Sequence, residues 1–490
     1  MKLRRARSRL LSGSRLVAST LLVASWGASF AEEPTQPAAP ASAPTATPAA
    51  TPVARSRADV FTEFRRLFDE KKYQEALAPA QEVVDLTDLA TPTGAEELQA
   101  ALMNLATTQF HAGDYAGAEA SYLRVIELIE RTGRRLPPRL VRATAGLATT
   151  YHAAKRHDLA AARFEQAIAL SRRTAGLFDE EQLPLLEKQA ESLGALDRMP
   201  EALQARRYAL RIVEHRYGAG SLRFAQELES IGRWYARGGA YDAARQSLRR
   251  AIGIIEAAEG EDSRNLVGPL TAIAENARRR LLDPVQQERM SDDAERRTLF
   301  HDPALQVPAS FAPSTFLTEG QQALERAVRI AGTGANPAPV QVADTHTQFG
   351  DWLQWRDRDE QAIQHYQQAW KAAQGEQVGG KPLTDALFGQ PVLVHYALPE
   401  SWDRYRSRPA TEAELRYVEI ELMVTALGRV QDPKVVTDAS DPRLAEQALR
   451  AAATARYRPR LVDGQPVATT GVRFVQPFYV LLEKPPEAGK

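Results

Sequence analysis

The side chains that could carry chemistry are scarce and scattered. The chain of 490 residues contains no cysteine, which excludes a thiolate nucleophile, a thiolate metal site, a disulfide framework and a lipidated N-terminal cysteine. Its eight histidines are His111, His152, His157, His215, His301, His346, His365 and His395; none belongs to a His-Glu-x-x-His pair, and no Gly-x-Ser-x-Gly elbow occurs. His111 and His152 could share a groove, but no carboxylate stands at a usable spacing, so no metal is expected. Gly375 to Lys381 satisfies G-x4-G-K, the spacing of a loop that cradles phosphates. Pro382 stands where the Mg²⁺-holding hydroxyl belongs, and a helical pattern rather than a buried strand precedes the loop, so it reads as the end of a helix. Trp352 and Trp355 read as packing rather than as a ligand platform. No catalytic residue, metal ligand or cofactor is assigned, and the expectation is a protein that is not an enzyme.

A second set of polar residues could bind without reacting, provided one surface gathers them: Asn104, Thr107, His111, Arg142, Thr149, His152, Glu187, Lys188, Glu191, Arg233 and Arg237. A repeat supplies that surface. Ala76, Ala118, Ala160, Ala202 and Ala244 recur every 42 residues. Around Ala118 stand Leu102, Leu105, Ala106, Gly113-Asp114-Tyr115, Tyr122 and Val125; around Ala244 stand Leu228, Ile231, Gly232, Tyr235, Gly239, Tyr241, Leu248 and Ala251. Apolar residues at i, i+3, i+4 and i+7 on both sides of a glycine- or charge-bearing turn give two amphipathic helices per unit. Small residues at the eighth and twentieth positions let those helices approach closely.

The pattern resembles the tetratricopeptide repeat in a long variant. It is weaker around Ala76 and Ala202, and Arg206 occupies a position that is usually aromatic. After a further helix (Leu266 to Arg280) comes a polar, proline-bearing stretch, and the period returns between Gly320 and Ala362. The fold class expected is thus mainly α, an α-solenoid with five 42-residue units and a following helix over 58–280, an irregular insertion at 281–318 and two degenerate repeats over 319–375. Each unit stacks on the next because it cannot bury its apolar face alone. The first helix of each unit lines the concave face, where Asn104, Thr107, His111, Arg142, His152, Lys188, Arg233 and Arg237 form a candidate groove for a protein partner. The resemblance implies that Asn104 matches an asparagine used in related repeats to clamp a peptide carboxylate. The rest of that clamp is missing, and Glu187 and Glu191 interrupt a basic surface.

The first 31 residues carry Lys2, Arg4, Arg5, Arg7, Arg9 and Arg15 and no acid, then an apolar run from Leu16 to Ala28 and Ser29-Phe30-Ala31. A basic head, a short apolar stretch and small residues at −3 and −1 read as a secretory signal cleaved after Ala31. Residues 32–57 are nearly all Pro, Ala, Thr and Ser and are expected to be a disordered tether. Whole, the chain has 62 basic and 62 acidic residues; without the signal's six basic residues it has 56 against 62, which gives no reason to expect nucleic acid. A membrane is expected as a partner only if the N-terminal segment stays uncleaved.

After a connector over 376–414 the period changes to two. Val418, Ile420, Leu422 and Val424 alternate with Glu419, Glu421, Met423 and Thr425, a half-buried strand. Gly428 turns the chain into a second strand from Val430 to Val436. Asp441-Pro442 caps a helix rich in alanine (Leu444, Ala448, Ala451, Ala452, Ala455), and Val467 to Leu482 forms the last strand. Residues 415–484 therefore read as a small α+β (β-β-α-β) unit. With Gly428-Arg429-Val430, Tyr457-x-Pro459, Gly464 to Val467 and Phe478 in order, this stretch resembles the C-terminal domain of the TonB family. Arg416-Tyr417 replace a customary glycine, Pro433 interrupts the second strand and Pro477 marks the last strand as an edge or a bulge.

The resemblance implies a periplasmic domain that pairs an exposed strand edge with an extended segment of an outer-membrane TonB-dependent transporter, by β-strand addition. The candidate edge is the last strand, with Arg473, Val475 and Tyr479 and with Arg456, Arg458 and Arg460 near it. Family members that transmit energy keep a membrane helix bearing a histidine; here no histidine precedes His111. The expected function is a periplasmic adaptor or scaffold that binds proteins of the bacterial envelope. One alternative is an inner-membrane-anchored component of TonB-dependent transport that faces the periplasm. Another is an assembly factor self-associating through its C-terminal domain.

Overall fold

The computed structural model describes residues 55–91, 93–131, 138–283, 313–333, 338–399, 402, 412–437 and 441–482. The expected signal with its cleavage site at Ala31, most of the tether and most of the 281–318 insertion lie outside the described residues. The chain divides into two compact units that meet in sequence at Leu177 and Phe178. Among the described residues no helix is long and apolar enough to cross a membrane.

The first unit consists of α1 (Arg57–Asp69), α2 (Tyr73–Asp85), α3 (Gly94–His111), α4 (Tyr115–Arg131), α5 (Pro138–Ala153) and α6 (His157–Thr174). The second opens with α7 (Leu183–Ala195), α8 (Met199–Tyr217), α9 (Leu222–Arg237), α10 (Tyr241–Glu259), α11 (Val267–Leu282), α12 (Pro313–Gly332), α13 (Pro339–Trp355) and α14 (Asp359–Ala373). Successive helices pack in pairs, α1 on α2 through α13 on α14. This is the helical solenoid that the 42-residue period predicts.

In every pair but α11–α12, the turn explains why the first helix stops where it does. Lys71, Gly113, Lys155, Asp197 and Gly239, 42 residues apart, all have positive φ, as does Asp357 in the last pair. The following amide closes back on the helix: Lys72 N–H to Leu67 O, Asp114 to Gln109, Arg156 to Tyr151, Arg198 to Leu193, Ala240 to Tyr235 and Arg358 to Leu353, each at 2.9 Å. This six-to-one bond ends a helix in a left-handed residue and satisfies its orphaned carbonyl.

The recurring alanines are fully buried, from Ala76 to Ala244 and again at Ala362. A Cβ on Gly232 would come within 2.9 Å of Leu248, and one on Gly350 within 2.3 Å of the Tyr366 ring, so helix contact there requires glycine. Arg206, in its usually aromatic position, is buried and donates to Glu227 Oε1 at 2.7 Å and to Ser230. An ion pair between α8 and α9 takes the place of a ring.

Beyond α14 come β1 (Gln377–Val378), β2 (Lys381–Pro382), α15 (Leu383–Phe388) and β3 (Val392–His395). The G-x4-G-K stretch is a hairpin: β1 pairs with β2 around Gly379-Gly380, both at positive φ, as a tight two-residue turn demands. The terminal domain follows as β4 (Ala413–Val424), β5 (Val430–Val435), α16 (Pro442–Thr454), β6 (Arg456–Arg458), β7 (Arg460–Val462), β8 (Gln465–Val467) and β9 (Thr469–Leu481). Its antiparallel sheet has the order β5-β4-β9. Val418, Ile420, Leu422, Val424, Phe474 and Phe478 form one core with Ala448, Ala451 and Ala452 of α16 and with Ala455, which caps it. Asp441 accepts from the Arg443 amide at 2.9 Å and Pro442 starts the helix. The pattern β-β-α-β is extended by short strands: β3 pairs with β6, and β7 with β8.

Candidate functional site

The open side of β9 is built by the register of its neighbour. Glu419 in β4 uses its backbone on the β5 side, its N–H donating to Thr437 Oγ1 at 3.1 Å and its carbonyl accepting from the Val436 amide at 3.0 Å. Val475 lies opposite Glu419. In an antiparallel ladder such a pair exchanges no bonds, so Val475 turns its N–H and C=O away from β4. Tyr479 has the same parity, and its N–H donates outward to Trp402 O at 3.0 Å. Arg473, Val475, Pro477 and Tyr479 thus direct their backbone to the outer edge, while Phe474, Gln476 and Phe478 bond to β4 and bury their side chains. Val475 is 44% exposed, and Arg473 reaches across to Glu419 at 3.2 Å. The three residues expected at a strand edge therefore share one edge.

Arg456 and Arg458 do not. Arg458 sits against the last helix pair, with Nε and Nη2 on the two oxygens of Asp351 at 3.0 and 2.8 Å and Nη1 on Leu387 O at 3.0 Å. Tyr366 also donates to Asp351 at 3.0 Å. Burial opposes the Arg458 charge, but the Asp351 carboxylate beside it outweighs burial and raises its pKa. Burial and Asp351 push the Tyr366 hydroxyl well up, so it stays protonated. Arg456 meets Asp357 at 2.7 Å, Arg429 pairs with Asp359, and Gln354 donates to Leu427 O at 2.9 Å. The glycines of the terminal domain take part: a Cβ on Gly428 would lie 2.0 Å from Tyr457 O and 2.8 Å from Gln354, and Gly464 rests on Trp370. Arg460 lies in β7, away from the β9 edge in the strand order.

Asp351 and Gln354 escaped the sequence reading, yet a signal existed. Asp351 precedes Ala362 by eleven residues, as Thr107 precedes Ala118 and Arg233 precedes Ala244. It occupies the inward position of its repeat, and the ligand there is the chain's own terminal domain.

The residues proposed for the concave face are placed one by one. In the first unit Thr107 bonds Met103 O at 2.8 Å and the Tyr122 hydroxyl at 3.2 Å, while the exposed His111 stacks on Tyr73 with centroids 4.7 Å apart. Asn104 is half-buried, Arg142 is exposed, and His152 packs edge-on against Phe164. In the second unit Lys188 lies 3.8 Å from Glu191. Arg233 holds Glu229, Glu275 and Gly268 O, and Arg237 covers the Trp234 ring at 4.9 Å. These cations face acids and rings already in place. Among the described residues no group of three or more His, Asp or Glu is arranged to hold a metal ion.

Paired helices followed by an α+β domain whose last strand turns the backbone of Arg473 and Val475 away from its sheet define a class, the repeat proteins that work through contacts with other proteins. Residues 97–173 match the tetratricopeptide repeat family, and residues 414–475 match the Gram-negative bacterial TonB protein C-terminal family. Solved structures similar to the chain include nearly identical TPR-like repeats of a Podosopora anserina kinesin light chain, 18% identical, covering 41% of this chain and 96% of that one at a TM-score of 0.37. BtubC from P. vanneervenii is 18% identical over 54% and 94% with a TM-score of 0.37, and apo RapI is 11% identical over 64% and 97% with a TM-score of 0.35. No curated protein matches the chain.

Proposed function

We propose that this protein is a non-enzymatic adaptor of the Gram-negative envelope, exported to the periplasm. Its repeats hold one protein while its terminal domain engages another by strand addition. An outer-membrane transporter segment is the kind of partner the TonB-like domain favours. The observation that carries the reading is the outer edge of β9, where the backbone of Arg473 and Val475 faces away from β4. Main-chain bonds along such an edge supply affinity, and alternate side chains set register.

A photoreactive residue at Arg473, whose side chain is 69% exposed, is expected to crosslink an envelope protein in living cells. Adding Val475→Pro, which removes an outward donor without touching the β4 ladder, is expected to abolish that product. A crosslink unchanged by the proline, or none above background in the envelope, sinks the proposal.

A further inference from the structure

We infer that His346 and His365 form a two-imidazole site for a tetragonal transition-metal ion, Cu(II) above others, on the last helix pair. His346 stands on α13 and His365 on α14, and their Nδ1 atoms lie 2.9 Å apart. The close approach of the two helices brings them together. Gly350, one helical turn after His346, admits the ring of Tyr366, the neighbour of His365 in sequence. Phe349 packs on the His365 ring with centroids 4.4 Å apart, and both histidines are half-buried.

Without a metal, one Nδ1 donates to the other. Among the described residues neither Nε2 has a hydrogen-bond partner, so no acceptor or donor fixes either ring in one tautomer. In a neutral imidazole the proton can sit on Nε2 instead, which leaves both Nδ1 lone pairs free. Burial alone lowers the His346 pKa, and burial with the neighbouring imidazole brings His365 to about 4. At neutral pH both rings are therefore uncharged and need lose no proton to bind a metal.

The spacing selects the ion. Two nitrogens each about 2.0–2.1 Å from one ion lie about 2.9 Å apart at a right angle and about 3.3 Å apart at the tetrahedral angle. The right-angle spacing is the one present here, and it suits Cu(II) and Ni(II) rather than tetrahedral zinc. Imidazole is a good ligand for both, and Cu(II) heads the order of affinity. A turn about χ2, a broad torsion in histidine, aims both lone pairs at one point. Among the described residues no group of three His, Asp or Glu could hold an ion, so water fills the remaining positions.

The test is titration of the untagged full chain with Cu(II) at pH 7, read by pulsed EPR and by competition with a chelator of known affinity. One ion bearing two imidazoles and a micromolar Kd are expected. His346→Gln and His365→Gln should each leave a single imidazole on the ion and weaken binding about tenfold or more. His157→Gln is the control, because His157 and His152 are another neighbouring pair, with ring centroids 5.5 Å apart. That variant should change neither reading. Copper binding unchanged in both His346→Gln and His365→Gln, or lost in His157→Gln alone, overturns the assignment. The imidazole count on the unaltered chain decides the matter without any variant: one imidazole per ion, or no ion bound at millimolar Cu(II), also overturns it. Zn(II) that competes on equal terms with Cu(II) overturns the tetragonal geometry.

Discussion

The β6 side and the β9 side of the terminal domain carry the same kind of residue and lead opposite lives. On β6, Arg458 is nearly buried between Asp351, Leu387 O and the rings of Tyr366 and Phe388, with its centre 6.0 and 5.8 Å from the two ring centroids. On β9, Arg473 is mostly exposed and meets one carboxylate across the strand. An arginine on a short strand is thus ambiguous by itself. Its role is set by the acid it faces, and on β6 that acid comes from the last helix pair. The outcome is a terminal domain with one side fixed to the last helix pair and, on the edge strand β9, the backbone of Arg473 and Val475 turned away from the sheet.

The largest test of this contrast removes the acid on the fixed side. Asp351→Ala leaves the Arg458 guanidinium uncompensated in a dry site and strands the Tyr366 hydroxyl, which should cost about 3–5 kcal/mol. Urea unfolding followed by tryptophan fluorescence reads the change, because Trp352, Trp355 and Trp370 belong to or border the same core. A loss under about 1 kcal/mol would mean that the β6 side is held no more firmly than an exposed ion pair, and the distinction between the two sides would collapse.

How much of this was legible depends on the length over which a pattern can repeat. The buried alanines and the alternation from Val418 to Val424 were visible because burial imposes a period of its own on long elements. Strands β6, β7 and β8, of three residues each, are too short to alternate measurably, and pairing rather than composition makes them strands. The edge was signalled by Pro477, since proline cannot serve a central ladder. Which amides face outward was not legible, because it follows from where Glu419 sends its backbone, to Thr437 and Val436. The Arg458–Asp351 contact joins residues 107 apart, and nothing local to either names the other. Only the repeat register, carried one unit further, would have put Asp351 on the inner face.

Acidification should separate the two sides by a smaller amount. His395 in β3 belongs to the fixed side, pairing with Arg456 in the ladder. Burial first, then the Arg278 and Arg456 charges, hold its pKa below 6.5, with Asp357 opposing. The folded state therefore favours neutral imidazole, and the unfolded chain takes up the proton first. Stability from this residue is complete above pH 6.5 and is lost as the pH falls through the lowered folded value. Melting temperature should drop between pH 7.5 and 5, and His395→Gln should show a smaller drop. Because burial lowers His346, and burial together with His346 brings His365 to about 4, part of the fall should survive in the variant. Equal drops in both chains would remove His395 from the account of the fixed side.

The smallest effect on stability is expected on the open side, and there the smallness is the point. Arg473→Ala deletes an ion pair whose side chains are 69% and 35% exposed, a setting in which attraction in water is nearly balanced by the entropy of holding two long side chains. Unfolding free energy should move by less than about 0.5 kcal/mol. The same substitution should weaken the pairing of an incoming strand, because the guanidinium stands beside the main-chain groups of Arg473 and Val475 that face away from β4. An arginine that matters to binding and not to folding is what a recognition edge requires, and Arg458 shows the reverse pairing within one domain. If Arg473→Ala destabilised the chain as Asp351→Ala does, the β9 edge would be part of the fold's own support, and an incoming strand would have to displace structure rather than add to it.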